Sequence, residues 1–186
     1  MAELLNTLSN SALAALLQQG SVGVLPTDTV YGLVCRATDE TAVKRLYQLK
    51  LRENKPGTVI AASIDQLVEL GVKARYLKAV EQFWPNAISI VIPAADPGLA
   101  YIHKGKMSLA CRIVKEPAEL LNLLSVTGPL LTTSANVPGE TPADTITQAQ
   151  QYFGERVDFY VDGGEVTDDT PSKLFRFGQQ GMERLR

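Results

Sequence analysis

The sequence predicts a mixed α/β fold: a sheet with both parallel and antiparallel strands, and helices packed on its faces. Three observations lead there. Short apolar, β-branched runs alternate with helix-period segments along the whole chain, which favours a layered sheet under helices. Two strand-like segments lie close together at the C-terminal end, a hairpin pattern that a purely parallel sheet lacks. The 186 residues are 45% hydrophobic and show no repeat or linker, so they suit one domain spanning residues 1–186 with a full core.

In order, Leu13, Leu16 and Leu17 share a helical face, with Ser9 or Asn10 as N-cap and Gly20 as the stop. Val22 to Leu25 reads as a buried strand ended by Pro26, which donates no backbone hydrogen bond. Val43, Leu46 and Leu49 mark a second helix, from about Asp39–Thr41 to Lys50. Thr58 to Ala62 reads as a strand, and Ser63 with Gln66 as a capping box opening a short helix that ends at Gly71. A helix from about Ala74 to Trp84 is stopped by Pro85, and a central strand from Ala87 to Ile92 is bounded by Pro93. After a loop come a strand at Ser108 to Val114, a helix from Pro117 to about Leu124, and a strand at Leu130 to Thr133. A helix near Thr145 to Phe153, a strand at Val157 to Val161, and strands around Lys173 to Phe177 and Met182 to Leu185 complete the pattern.

The net charge of −2 argues against a generally basic nucleic-acid-binding surface, though not against a local basic patch. Cys35 and Cys111 sit in apolar surroundings without metal-ligand spacing and read as reduced core thiols of a cytoplasmic protein. Met1-Ala2-Glu3 has no basic n-region, which argues against a secretory signal, and the apolar runs are too short to span a bilayer. The one histidine, His103, falls in a Gly/Lys loop and is expected to be solvated and not catalytic.

Four stretches carry polar chemistry. Pro26-Thr27-Asp28-Thr29-Val30-Tyr31-Gly32-Leu33 places two hydroxyls, a carboxylate and a phenol at a strand end, where open α/β sheets bind ligands; an ordinary turn explains the same residues equally well. Gly32 there permits a conformation or a close backbone approach that a Cβ would block. Lys50-Leu51-Arg52 with Lys55 follows a helix end. In an extended segment Lys50 and Arg52 project together as an anion site, although cations at a helix C-terminus also serve the dipole alone. Ser108, Ala110 and Arg112 share one strand face, small residues beside a guanidinium, a pattern that a solvent-facing arginine also fits. Thr132-Thr133-Ser134-Ala135-Asn136 repeats the design of apolar strand and uncharged polar tip.

Together, in order and spacing, these stretches resemble the YrdC/TsaC family of threonylcarbamoyl-adenylate synthases over almost the whole chain. The resemblance implies a twisted mixed sheet with a basic concave cavity. It implies that L-threonine, bicarbonate or CO₂, and ATP with Mg²⁺ give threonylcarbamoyl-AMP and pyrophosphate. Downstream proteins then transfer the threonylcarbamoyl group to adenosine 37 of tRNAs reading codons that begin with A. Carried over, Lys50 and Arg52 are the catalytic cluster. Thr27, Tyr31, Arg112, Ser134 and Ser172 are threonine contacts. Lys50, Arg52, Lys55, Ser108, Asn136, Thr145 and Arg186 are ATP contacts, and no protein-bound metal is expected. Asp28 either orients the amine or a Mg-bound water, or merely forms the turn. The family's Asn-Pro-Leu segment ending in histidine is replaced by Lys55-Pro56-Gly57-Thr58-Val59-Ile60-Ala61-Ala62, and its late Ser-Thr-x-x-Asp pattern by Ser172-Lys173-Leu174-Phe175-Arg176. A non-catalytic module for double-stranded RNA is the rival expectation, disfavoured because backbone binding needs no pair of uncharged polar tips. A carbamoyl-handling relative of the hydrogenase-maturation type is a second rival, against which the absence of further domains is expected to count.

Overall fold

The computed structural model describes residues 1–51, 55–166, 170–178 and 181–186. Its strands are β1 (Glu3–Leu5), β2 (Gly23–Pro26), β3 (Tyr31–Arg36), β4 (Thr58–Ala61), β5 (Ile88–Pro93), β6 (Ser108–Ile113), β7 (Leu130–Ser134), β8 (Phe159–Val161), β9 (Lys173–Gly178) and β10 (Gly181–Arg184). Its α-helices are α1 (Ser11–Gln18), α2 (Glu40–Leu49), α3 (Ile64–Glu69), α4 (Ala74–Lys78), α5 (Ala100–His103), α6 (Ala118–Thr127) and α7 (Ile146–Phe153). No helix among the described residues is long and apolar enough to cross a membrane.

The caps follow local chemistry. Asn10, Asp39, Ser63 and Thr145 each accept a hydrogen bond from a first-turn N–H of α1, α2, α3 and α7. The expected helix to Trp84 is shorter. α4 ends at Lys78, and a separate 3₁₀ turn covers Glu81–Phe83. The loop expected after Pro93 holds a 3₁₀ turn at Pro97–Leu99 and then α5.

One sheet runs in the order β1-β8-β2-β3-β7-β4-β6-β5-β9-β10. β1/β8, β2/β8, β4/β6 and β5/β9 are parallel pairs, and the remaining neighbours are antiparallel. The mixed sheet is as expected. Two strands escaped the sequence reading: β1, and β3, which returns directly from β2 as a hairpin. β3 is buried from Tyr31 to Cys35, so its sequence does not alternate.

The sheet has two apolar faces. Leu33, Cys35, Val59, Ala61, Leu109 and Cys111 face the larger core with α2 residues Val43 and Leu46. Leu25, Val34, Ile60, Leu130 and Phe159 face the second, where Leu13 and Leu17 of α1 and Leu120, Leu123 and Leu124 of α6 cover them. Burial pushes both thiols up, Cys111 to about 12, so neither is a nucleophile. On that second face the apolar pattern gives way beyond Ile60. The register row Thr132 (β7), Thr58 (β4), Ala110 (β6), Val91 (β5) and Arg176 (β9) crosses five neighbouring strands with small, polar or cationic side chains. That row is the floor of the candidate site.

Candidate active site

A cavity of about 690 Å³ opens over this floor. Its described lining includes Lys55, Lys106, Arg112, Arg176 and Arg186 and no acidic residue, with hydroxyls from Thr27, Thr58, Ser108, Thr132, Ser134 and Ser172 among them. Cations without lining carboxylates, in a half-enclosed site, favour an anionic ligand.

Arg112, at the end of β6, is only 3% exposed. Its Nη2 donates to Asp28 Oδ1 at 2.7 Å and its Nη1 to Ser89 Oγ at 3.1 Å, and the Ser89 and Ser172 hydroxyls are 2.9 Å apart. Its Nε has no partner. Asp28 is therefore neither a free base nor a bare turn residue: it balances a buried guanidinium. Arg186 donates from Nε and Nη2 to the Ser172 carbonyl at 3.3 and 3.1 Å. Desolvation and then the charge of Arg112 hold the Arg186 guanidinium below its ordinary range. Two like charges kept this close mark the place where an anion is most favoured.

The two polar tips lie on one ladder. Gly32 pairs with Ser134, and Ala135 N–H donates to the Tyr31 carbonyl at 2.8 Å. A Cβ on Gly32 would sit 2.5 Å from Thr132 Oγ1 and 2.9 Å from Thr27 Cγ2, so the close approach expected at this glycine is real. Between β2 and β3, Thr27 Oγ1 donates to the Val30 carbonyl at 2.7 Å and accepts from the Thr29 and Val30 N–H groups at 3.3 Å. Thr27 thus both shapes the turn and lines the cavity.

Lys50 is the C-cap of α2 and is 3% exposed. Its ammonium donates to the Ser134 carbonyl at 2.7 Å and to both the carbonyl and Oδ1 of Asn136. Asn136 Oδ1 also accepts from Ser134 Oγ at 2.7 Å, and Asn136 Nδ2 donates to the Val137 and Glu140 carbonyls. Lys50 thus pins the β7 tip from behind and is absent from the cavity lining. The expected side-by-side projection of Lys50 and Arg52 presumed an extended backbone. Lys50 instead has αR geometry and Leu51 a φ of 50°. Arg52 itself lies outside the described residues.

Three other assignments are corrected. Tyr31, expected to line a threonine pocket, is fully buried. Its phenol accepts from Gly163 N–H and donates to the Gly164 carbonyl, each at 2.8 Å, and burial pushes its ionisation up. Thr145, expected at the nucleotide, caps α7 through a 3.3 Å bond from Gln148 N–H and does not line the cavity. His103, expected in solvent, is 5% exposed and accepts two backbone N–H bonds. The remaining predicted residues, Thr27, Lys55, Ser108, Arg112, Ser134, Asn136, Ser172 and Arg186, do meet at the cavity. Lys106 and Arg176 were missed. Strand parity with Ser108 and with Ser172, two and four residues away, was the available signal.

The Sua5/YciO/YrdC family model, described as telomere recombination, matches residues 15–186. The chain belongs to the Sua5/YciO/YrdC family. Within it, the threonylcarbamoyl-AMP synthase of Halorhodospira halophila is 33% identical to this chain over 170 residues, 89% of each. Sua5 of P. abyssi, crystallised with L-threonine, matches at a TM-score of 0.85 and 25% identity, over 100% of this chain and 57% of its own. This chain thus spans little more than half of that Sua5. YciO of E. coli shares the fold at a TM-score of 0.82 and 18% identity, over 100% of this chain and 95% of its own.

Proposed function

We propose that this Sua5/YciO/YrdC protein is a threonylcarbamoyl-AMP synthase, a nucleotidyltransferase joining L-threonine, bicarbonate or CO₂, and ATP, with release of pyrophosphate. The observation that carries the proposal is the half-enclosed cavity, whose described lining combines hydroxyls and cations from four strands and their flanking loops and has no carboxylate side chain. A relative 33% identical over 89% of both chains bears that synthase name, which supports the same reading.

The chemistry sets what the site must do. The threonine amine adds to CO₂ and loses a proton, giving a carbamate. A carbamate oxygen then attacks the α-phosphorus, the bond from that phosphorus to the α,β-bridging oxygen breaks, and pyrophosphate leaves. Both reactants are anions, so repulsion is the first barrier. Arg112, with Arg186 and Ser172 beside it, is placed for the threonine carboxylate, because a guanidinium offers carboxylate a planar fork. Lys55, Ser108 and Asn136 line the phosphate side, and Arg52 belongs to the same proposed cluster. Fixed cations need no reorganisation as charge moves toward pyrophosphate. Holding carbamate and α-phosphate in line contributes more, up to about 7–11 kcal/mol for a well-oriented pair. Lys50 supports the reaction by fixing Ser134 and Asn136.

Magnesium is proposed with ATP as substrate. Asp28, the carboxylate nearest the cavity's buried guanidinium, is engaged with Arg112. The ion would be held by phosphate oxygens. We place the protein in the cytoplasm, passing its adenylate to separate proteins that modify tRNA.

The test is pyrophosphate release from ATP and Mg²⁺, with L-threonine and bicarbonate omitted in turn. Release that requires both, with an acyl-adenylate formed, is expected. No release from folded protein that binds duplex RNA with steep salt dependence overturns the proposal in favour of a binding module.

A further inference from the structure

The geometry points to a second anion subsite in the same cavity, built on Lys106 and positioned by His103, that takes the pyrophosphate end of the nucleotide. This inference rests on the synthase reading and deepens it. β4 and β6 are parallel and paired Thr58 to Ala110, so Lys55 and Lys106 stand at the same end of the sheet, just before their strands begin. Arg112 stands at the other end of β6. Six steps along the chain separate it from Lys106, all but the first two within β6, which is at most about 20 Å at about 3.3 Å per residue. A ligand that engages Arg112 with a carboxylate and extends along the floor brings its far end to the two lysines. Among the described residues Lys106 has no ion-pair partner, whereas Arg112 has Asp28 and Arg176 has Glu183.

The segment that delivers Lys106 is unusual. Lys104, Gly105 and Met107 all have positive φ, at 49°, 80° and 53°. Two of them are not glycine, and such residues persist only where their surroundings over-determine them. His103 does this. It is buried at the end of α5, and its Nδ1 accepts from Gly105 N–H at 3.1 Å and from Met107 N–H at 3.3 Å. Accepting there requires the neutral ring with its proton on Nε2. The His103 carbonyl accepts from Lys106 N–H at 2.9 Å, and the Lys106 carbonyl from Ser108 Oγ at 3.3 Å. Met107 closes the turn by accepting from Ala94 N–H at 2.9 Å. The histidine thus holds both sides of Lys106, and the lysine faces the cavity. His103 is a positioning residue; Lys106 makes the contact.

Two measurements on the full chain test this: calorimetric titration with inorganic pyrophosphate, and the KM values for ATP and threonine in the release assay. Lys106→Ala is expected to weaken pyrophosphate and raise the ATP KM about tenfold, with threonine KM moving less than about twofold. His103→Leu should show the same split and add nothing to Lys106→Ala in the double variant. His103→Asn, whose side-chain oxygen can accept in place of Nδ1, should restore most of the loss. If His103→Leu does not fold, the exposed Lys106→Ala and the acceptor-keeping His103→Asn carry the test. Unchanged pyrophosphate affinity in Lys106→Ala overturns the subsite, as does wild-type protein that binds no pyrophosphate. An equal rise in both KM values overturns the assignment to one end. A wild type that binds pyrophosphate but never turns over sinks the synthase reading alone, and the Lys106→Ala titration then still decides the subsite.

Discussion

At one end of the cavity Arg112 is buried among Asp28, Ser89 and Ser172; at the other, Lys55 and Lys106 stand exposed. The buried guanidinium needs a counter-charge inside the protein, because desolvating an unpaired ion costs far more than an exposed one gains. The lysines need none, since water already solvates them. The same sign of charge is therefore part of the fold at one end and a detachable surface feature at the other. Only at the first end should removing the charge's protein partner destabilise the fold.

Asp28→Ala is the harshest way to break this contrast. It leaves Arg112 buried and uncompensated, so urea unfolding should show a loss of about 3–5 kcal/mol, and threonine-dependent turnover should fall with it. A stability unchanged by Asp28→Ala would mean that water, not the carboxylate, balances Arg112. Lys50→Met comes next. It strips the donor from the Ser134 and Asn136 carbonyls, and the same unfolding measurement should lose about 1–3 kcal/mol. Turnover should fall further than the ATP KM rises, because the tip is displaced and not a ligand contact removed.

The Arg45–Asp158 pair sharpens the comparison at an intermediate exposure, with side chains 38% and 33% accessible. Burial raises the Asp158 carboxyl. The bonds from Arg45 and Val22 N–H, with the charge of Arg45, outweigh that and hold it below the ordinary carboxylate range. A carboxyl lowered by folding contributes stability above its unfolded value and loses it as pH falls through the folded one. Wild type and Arg45→Ala should therefore differ in melting temperature at neutral pH and converge on acidification. The smallest effect belongs to Lys55→Ala. Its stability should stay within about 0.5 kcal/mol of wild type, while its ATP KM rises at low salt and approaches the wild-type value at high salt.

Much of this was legible in the residues. Helix caps, the mixed sheet and the Ser108–Arg112 face follow from side-chain chemistry and strand parity. β3 was hidden because the turn from Thr27 to Val30 has no central glycine and because the strand is buried on both faces, which erases alternation. Lys50 was misplaced by applying strand parity across a helix end with a left-handed residue after it. Tyr31 and His103 depend on partners that no local pattern discloses: Gly163 and Gly164 lie some 130 positions from the tyrosine, and the histidine's acceptor role appears only once the backbone doubles back.

The ladder order also has a consequence for how the protein is made. β3 waits for β7, β2 waits for β8, and β5 gains its outer neighbour only when β9 emerges. Arg186, made long after Thr27, lines the same cavity. At about 5–20 residues per second, the stretch from Thr27 to Arg186 takes roughly 8–30 s to make. For most of that time β2, β3 and β5 each lack one of the two neighbours they have in the finished sheet. A ligand of this cavity cannot find its complete site until Arg186 has been made, so the unpaired strand edges of the growing sheet stay open until then.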